Sequence, residues 1–186
     1  MDVDQLEVWA ARAAGGDVAA TAALVRATQT DVWRLCSRLV DRQAADDLTQ
    51  ETYLRAIPAL AGFQGRSSLR TWLLSIARRV CADHLRYKQR RRLVFVGGGQ
   101  EVESLLGEHP AVTDEVGGTV AARDALDRLE PQRREAFVLT QLLGLPYSEA
   151  AEVIGCPVGT IRSRVARARA DLVAAMVSHA EPRRRA

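Results

Sequence analysis

The sequence has few of the residues from which catalytic or metal sites are built. Its 186 residues include three cysteines and three histidines, and aromatic residues make up only 5%. Cys36, Cys81 and Cys156 are far apart, odd in number and without CxxC spacing, which argues against a disulfide framework and a zinc site. No nucleophile–base pair or phosphate-binding loop is present either. The sequence therefore predicts a protein that is not an enzyme and that uses no cofactor or metal.

Long apolar runs and a signal peptide are also missing. No stretch approaches membrane-spanning length, and the acidic N-terminus MDVDQLE lacks the basic start of a secretory signal. Unpaired cysteines fit a reducing compartment. We therefore expect a soluble, cytoplasmic protein without membrane insertion.

Positive charge is in only slight excess, so a nucleic-acid surface must come from local clustering. The net charge is +3 and the pI is near 9.0. Arg78–Arg92 holds seven basic residues and one acidic residue, Asp83, whereas Gln100–Glu115 holds five acidic residues and no basic one. The clustering predicts one basic helix and one acidic segment.

Apolar residues recur at helical spacing along most of the chain, and no convincing pair of strands is found. Capping residues, glycines and prolines mark the helix ends. The predicted helices are Leu6–Ala13, Asp17–Ala27, Thr30–Val40, Ala44–Ile57, Ser67–Arg90 (core stripe Leu69, Trp72, Leu73, Ile76, Val80 and Tyr87), Val120–Leu129, Pro131–Leu143, Tyr147–Ile154 and a last helix from Val158.

We expect an all-α protein of two small helical domains joined by a flexible linker. Glycines at 97–99, Pro110 and a glycine pair at 117–118 interrupt the periodicity and predict this linker. The apolar run Leu93–Val96 has no assigned role. The predicted boundaries are 1–92 for the first domain, 93–118 for the linker, 119–178 for the second domain and 179–186 for a disordered tail.

The stretch from Leu139 to Leu172 has the layout of a helix-turn-helix. Gly155 and Cys156 form the turn, since glycine adopts left-handed backbone angles without penalty, and Pro157 suits the first position of the next helix. That helix has a buried stripe of Val158, Ile161, Val165, Ala168 and Leu172. The polar residues pointing away from the stripe are Thr160, Arg162, Ser163, Arg164, Arg167 and Arg169.

These arginines form either an ordinary solvated face or a DNA-reading face. No acidic residue lies between Val158 and Ala170, whereas solvated helices usually mix both signs of charge. A short helix and a glycine turn before a basic helix are also what a major-groove reading unit needs. The pattern favours DNA binding.

Two segments together resemble the sigma-70 family of bacterial transcription factors. Asp46–Ile57 (DDLTQETYLRAI) followed by Phe63–Tyr87 resembles conserved region 2, and Leu129–Leu172 resembles region 4. The two regions in this order, with a short linker in place of region 3, resemble the extracytoplasmic-function (ECF) group. The resemblance implies a sigma factor that binds core RNA polymerase and directs promoter-specific transcription initiation.

The resemblance implies a polymerase-docking face on the region 2 helix. In the family this helix binds the clamp helices of the beta-prime subunit, and the matching residues here are Asp46, Asp47, Gln50 and Glu51. The alternative is an acidic first turn that complements the helix dipole.

The resemblance also implies a surface for the minus-ten promoter element, which region 2 melts and holds. Gln64, Arg66 and Ser67 lie in the loop that would receive an extruded base. The cations for the strand's phosphates are Arg70, Arg78, Arg79 and Arg86. Trp72 fits either the core stripe or a base-stacking role.

Region 4 of the family reads the minus-thirty-five element and contacts the polymerase beta flap. By this resemblance Thr160, Arg162, Ser163 and Arg164 approach base edges, and Arg167 and Arg169 contact phosphates. Leu139, Leu142 and Leu143 are candidates for the flap contact, although leucines at this spacing also suit a core.

A free-standing helix-turn-helix regulator is the alternative function. It predicts a ligand cavity or a phosphoacceptor in the N-terminal half, and Asp46 and Asp47 lie on a helix rather than at the end of a strand.

The acidic linker either imitates a polyanion in the polymerase RNA channel or is a solvated spacer. The sequence leaves open whether an anti-sigma factor binds the chain.

Overall fold

The computed structural model describes residues 3–96 and 120–180, and all regular elements within these ranges are helical. This confirms the all-α fold class. The helices are α1 (Val3–Ala14), α2 (Val18–Leu39), α3 (Arg42–Ala59), α4 (Leu69–Val96), α5 (Val120–Asp127), α6 (Pro131–Phe137), α7 (Tyr147–Ile154) and α8 (Val158–Ala180). Residues 97–118 of the predicted linker and 181–186 of the predicted tail lie outside the described residues.

The two helices predicted between Asp17 and Val40 are one continuous helix, α2. No glycine or proline interrupts it, and the polar residue Thr28 near its middle is buried. Thr28 donates its hydroxyl proton to the Leu24 carbonyl at 2.8 Å, and its oxygen lies 2.7 Å from the Tyr53 hydroxyl. A threonine that bonds the preceding turn satisfies its own hydroxyl inside a helix, so Thr28 does not end α2.

Helix α3 continues past Pro58, where the sequence predicted its end. Asp41 caps its first turn by accepting the Ala44 backbone N–H at 2.7 Å. A proline lacks the N–H of one helical hydrogen bond, and α3 ends one residue after Pro58, at Ala59. A single 3-10 turn, Leu60–Gly62, follows and leads into the loop before α4.

Helix α4 is longer than predicted and extends past Arg90 to Val96. The backbone of Leu93–Val96, which the sequence placed in the linker, is therefore helical. The prediction that Tyr87 belongs to the core stripe is wrong, because its side chain is 55% exposed and Arg91 stacks over its ring at 5.7 Å. The stripe is buried along the part of α4 that packs against α2 and α3. This packed part ends before Tyr87.

Helix α6 passes into a π-helical turn at Val138–Leu142 instead of running unbroken to Leu143. The Leu143 N–H bonds the Val138 carbonyl at 2.9 Å, one residue further back than in an α-helix. Leu139 and Leu143 are consequently both buried, whereas Leu142 is 44% exposed. The turn thus presents two leucines to one side of the C-terminal half.

The N-terminal and C-terminal halves share one hydrophobic core. Val32, Leu35 and Leu74 from the N-terminal half belong to the same cluster as Leu139 and Leu145 from the C-terminal half. Helix α4 packs against α7, and α2 packs against α6 and the π-helical turn. The sequence analysis predicted two domains on a linker and did not predict that they close on each other.

Candidate nucleic-acid interface

The helix-turn-helix forms as the sequence predicted. Gly155 ends α7 with a left-handed φ of 77°, and its N–H bonds the Ala151 carbonyl at 2.8 Å. The stripe that fixes α8 against the rest of the domain is also confirmed, since Ile161, Val165 and Ala168 are at most 1% exposed. The turn and the stripe together orient the opposite face of α8 outward.

That outward face of α8 carries Arg162, Ser163 and Arg167, all of them exposed. Within the described residues, neither Arg162 nor Arg167 has a hydrogen-bond or ion-pair partner. Thr160 is half-buried and receives the Ser163 hydroxyl on its carbonyl at 3.0 Å. Two unpaired guanidinium groups on one helix face are available to DNA.

The other two arginines of α8 are turned back toward their own domain. Arg164 donates to the side-chain carbonyl of Gln132 on α6 and lies 3.9 Å from the Cys156 sulfur. Arg169 donates to the Gln141 side-chain oxygen at 2.6 Å. The sequence predicted Arg164 as a base reader and Arg167 as a phosphate contact, but Arg167 rather than Arg164 shares the exposed face with Arg162.

Two of the four cations predicted for the minus-ten element, Arg70 and Arg78, are partly covered. The Arg70 guanidinium donates to the Asp31 carboxylate at 2.7 Å and to the main-chain carbonyl of Leu143 at 2.6 Å. Arg78 donates to the Glu135 carboxylate at 2.5 Å. The Arg78 side chain is only 29% exposed and that of Glu135 14%. Both arginines are therefore occupied by contacts across the two halves.

A third contact between the halves lies at the first turn of α4. The Thr71 hydroxyl donates to a Glu149 carboxylate oxygen at 2.5 Å, and the Ser68 hydroxyl lies 3.3 Å from the same oxygen. Thr71 is 2% exposed. The polar contacts through Arg70, Arg78, Thr71, Glu135 and Glu149 are called the closed interface below.

The sequence interpretation missed Glu135, Glu149 and Asp31 as partners of these cations. The signal that could have found them is the excess of apolar residues between Val138 and Val153. Leu143 and Leu145 are buried in the core shared by both halves, so a small helical domain does not cover them alone. Apolar surface that a domain cannot bury itself indicates a packing partner.

The remaining minus-ten residues are accessible. Gln64, Arg66 and Arg79 are exposed and Ser67 is half-buried. Arg86 donates to Asp83 at 2.5 Å, and Asp83 also accepts from Arg55 at 2.9 Å. These hydrogen bonds, the one from Arg55 first, hold the pKa of the Asp83 carboxyl below its usual value.

Trp72 packs within the N-terminal half. Its ring lies 5.2 Å from that of Phe63, centroid to centroid, with the planes tilted by 53°. It touches both hydrophobic clusters of the protein and is half-buried. This arrangement favours the core-packing interpretation over base stacking.

The acidic residues on α3 form a face of their own. Asp46, Asp47 and Gln50 are exposed, and Leu54 one turn further on is 62% exposed. Glu51 is half-buried and accepts from Arg55 at 2.7 Å. Because α3 begins at Arg42, its first turn holds no acidic residue. The helix-dipole alternative is therefore weakened, since that effect fades beyond the first turn.

Comparison with known families decides between the two functions. A family model described as Sigma-70 region 2 matches residues 24–91, and one described as Sigma-70, region 4 matches residues 119–172. The ECF RNA polymerase sigma factor SigC of Mycobacterium tuberculosis is 49% identical over 173 residues, which cover 93% of this chain and 92% of SigC. The chain belongs to the ECF sigma factors.

Other sigma factors support the assignment. EcfG of Rhodopseudomonas palustris is 42% identical over 130 residues, covering 70% of each chain. The structure of CnrH in complex with the cytosolic domain of CnrY superposes with a TM-score of 0.70 at 27% identity, covering 95% of this chain and 99% of CnrH. RpoE of Bartonella quintana, solved with the anti-sigma factor NepR, gives 0.69 at 29% identity, with 82% and 93% covered.

The family gives the sigma factor its function, which is promoter-specific transcription initiation with RNA polymerase. The predicted sigma factor is confirmed, and the free-standing regulator is set aside. Among the helices that the structure describes, none has the length and apolar character to cross a bilayer.

Proposed function

We propose that this sigma factor reads its promoter with two surfaces that differ in availability before polymerase arrives. The upstream surface is the outward face of α8, and the minus-ten surface is the first half of α4 with the preceding loop. One observation carries the proposal: Arg162 and Arg167 are unpaired in the described chain, whereas Arg70 and Arg78 are bonded across the closed interface.

The upstream element is read by Arg162, Ser163 and Arg167. Arginine forks match the two major-groove acceptors of guanine, and a serine hydroxyl can donate or accept. Arg169 reaches phosphates once it leaves Gln141, and Thr160 and Arg164 support the turn and helix start that aim this face. This assignment refines the sequence prediction by moving Arg167 to the reading face.

The minus-ten element requires the two halves to separate. Nucleic acid binds through phosphate contacts with arginine and lysine, and a guanidinium held by a carboxylate gains little from a phosphate until that carboxylate leaves. Opening frees Arg78 from Glu135, so that Arg78 joins Arg79 and Arg86 along one strand while Gln64, Arg66 and Ser67 contact an extruded base. Arg70 loses the Leu143 carbonyl and lies beside this strand, still paired with Asp31 of its own half.

Polymerase docks on the acidic face of α3, through Asp46, Asp47, Gln50 and Glu51. This face meets the clamp helices of the beta-prime subunit, and none of its residues takes part in the closed interface. The beta flap needs the C-terminal half released, because Leu139 and Leu143 are buried against the N-terminal half. Docking on α3 can therefore precede opening.

We further propose that the sigma factor acts in the cytoplasm as a non-catalytic subunit and that an anti-sigma partner can hold it inactive. The support is the likeness to RpoE, which was solved with the anti-sigma factor NepR. Such a partner inhibits if it keeps the minus-ten cations covered.

The test compares promoter binding with and without core RNA polymerase. The purified chain alone should bind a promoter duplex weakly, through the upstream element only, and should initiate transcription in vitro after core polymerase is added. The availability proposal fails if the chain alone protects the minus-ten element as strongly as the holoenzyme does.

A further inference from the structure

Trp33 on α2 contacts the first acidic residue of the docking face. Its indole N–H donates to the Asp46 carboxylate at 2.8 Å, across 13 residues of sequence. Asp46 itself is exposed, while Trp33 is half-buried and packs against the main core. The hydrogen bond thus ties an exposed acid to a side chain anchored in the interior.

The indole ring is fixed from a further side. The Arg42 guanidinium, at the start of α3, lies 5.3 Å from the centre of the Trp33 ring. A cation at this distance over a tryptophan is attracted by the ring's electron density. Core packing, the cation and the carboxylate together leave the indole one orientation, so the donor position is set before any partner arrives.

The chemistry of the donor distinguishes Asp46 from Glu51. Glu51 is held by the Arg55 guanidinium, an ion pair that offsets its charge. Indole is neutral and donates a single proton. The indole holds the Asp46 carboxylate without adding a charge of its own, which suits a site that must attract arginine and lysine from a partner.

We propose that Trp33 is a positioning residue for polymerase docking, acting through Asp46. It orients the carboxylate toward the cationic helices of the partner and lowers the entropy that the acid loses on binding. This inference depends on the proposed docking face, and the experiment below separates the failure of one from the failure of the other.

The primary variant is Trp33→Phe, measured by titrating core RNA polymerase with labelled sigma factor. Phenylalanine keeps an aromatic ring at this position and removes the N–H together with part of the indole ring. Affinity should fall about fivefold, because the Asp46 side chain then loses on binding the freedom that the indole had already removed. Trp9→Phe is the matched control, since Trp9 packs in the second cluster with α1 and should leave affinity unchanged. Thermal unfolding confirms that both variants fold.

A double-mutant cycle with Asp46→Asn separates positioning from a merely structural role. If Trp33 acts through Asp46, Trp33→Phe costs nothing further once Asp46 is neutral, and the loss shrinks as salt is raised. Equal losses from Trp33→Phe in both backgrounds would overturn the inference.

Asp47→Asn tests the docking face itself. If Asp47→Asn weakens polymerase binding while Trp33→Phe does not, the docking face stands and the role of Trp33 is refuted. If Asp46→Asn and Asp47→Asn both leave binding unchanged, the docking face is wrong and the role of Trp33 is refuted with it.

Discussion

Helices α4 and α8 are both arginine-rich, yet two arginines in the first half of α4 are covered, whereas two on the outward face of α8 are open. Arg70 and Arg78 on α4 are bonded to the opposite half of the molecule, whereas Arg162 and Arg167 on α8 reach solvent. Both helices satisfy the same charge pattern in sequence. A basic helix face therefore marks a candidate nucleic-acid surface, while the acids of neighbouring elements decide whether that surface is available.

The difference originates in where the C-terminal half places its carboxylates. Glu135 on α6 and Glu149 on α7 both bond the N-terminal half, and α8 has no acidic residue from Val158 to Ala170. The C-terminal half thus neutralises the partner helix and leaves its own recognition helix charged. By the proposed function, the outward face of α8 is the first surface to meet DNA.

The largest effect is expected from substitutions on the outward face of α8. Arg162→Ala and Arg167→Ala should each weaken recognition of the upstream element by about 1–3 kcal/mol, the cost of losing one base-reading contact. Arg164→Ala is the control on the same helix and should cost less, because Gln132 already holds that side chain. Holoenzyme binding to promoters with single base changes gives the measurement. A larger loss for Arg164→Ala would return the reading role to Arg164.

The closed interface that covers α4 is tested by removing one carboxylate at a time. Glu135→Gln and Glu149→Gln should each weaken the closed interface by about 1–2 kcal/mol, since each removes a charged hydrogen bond that is largely shielded from water. The free chain should then bind a single-stranded minus-ten oligonucleotide roughly fivefold or more tightly. Glu152→Gln, exposed on the same helix as Glu149, is the control. Equal oligonucleotide affinity for all three variants and the parent would show that the closed interface does not limit access.

Most of the helices could be predicted from sequence because their signals are local. Gly155 in the turn, Asp17 as a cap and the α8 stripe each depend on residues within a turn or two. The join of two predicted helices at Thr28 was missed because the Tyr53 hydroxyl, 25 residues away, meets it in the fold. Tyr87 was placed in the core because periodicity does not show where a packing partner ends.

The residues of the candidate site also divide into those that local sequence patterns predict and those that depend on distant contacts. The exposure of Asp46, Asp47, Arg162 and Arg167 agrees with what their helix positions predict. The burial of Arg70 and Arg78 could not be predicted, because their partners lie 73 and 57 residues further along the chain. Contacts at such separation depend on how the two halves pack, which no local pattern encodes.

A smaller effect is expected at Gly155, in the turn between α7 and α8 that orients the outward face of α8. Gly155→Ala should destabilise the C-terminal half by about 1 kcal/mol, because its φ of 77° is strained for a residue with a Cβ. Gly159→Ala is the matched control, since Gly159 is helical with open space around its Cβ position and should be neutral or stabilising. Chemical denaturation followed by circular dichroism compares the two. Equal stability would mean that the turn relaxes without cost.

The smallest expected effect is on the pH dependence of stability, through the Asp17 cap in the N-terminal half. Asp17 caps α2, and its pKa is held below the usual value by the hydrogen bond from the Ala20 N–H and then by Arg12. A lowered folded pKa contributes stability above the ordinary aspartate pKa, about 3.9, and loses it as pH falls through the folded value. The parent and Asp17→Asn should therefore differ most in unfolding free energy near pH 7 and converge below about pH 4. A difference independent of pH would refute the assignment of this effect to the Asp17 charge.

The contact between Arg70 and Leu143 differs from the rest of the closed interface in what evolution can do with it. Its acceptor is a main-chain carbonyl, and every amino acid at position 143 supplies the same oxygen. Glu135 and Glu149 can each be removed by a single codon change, whereas this oxygen cannot. Substitutions in the C-terminal half can therefore change how tightly the halves close, while the main-chain acceptor for Arg70 is retained.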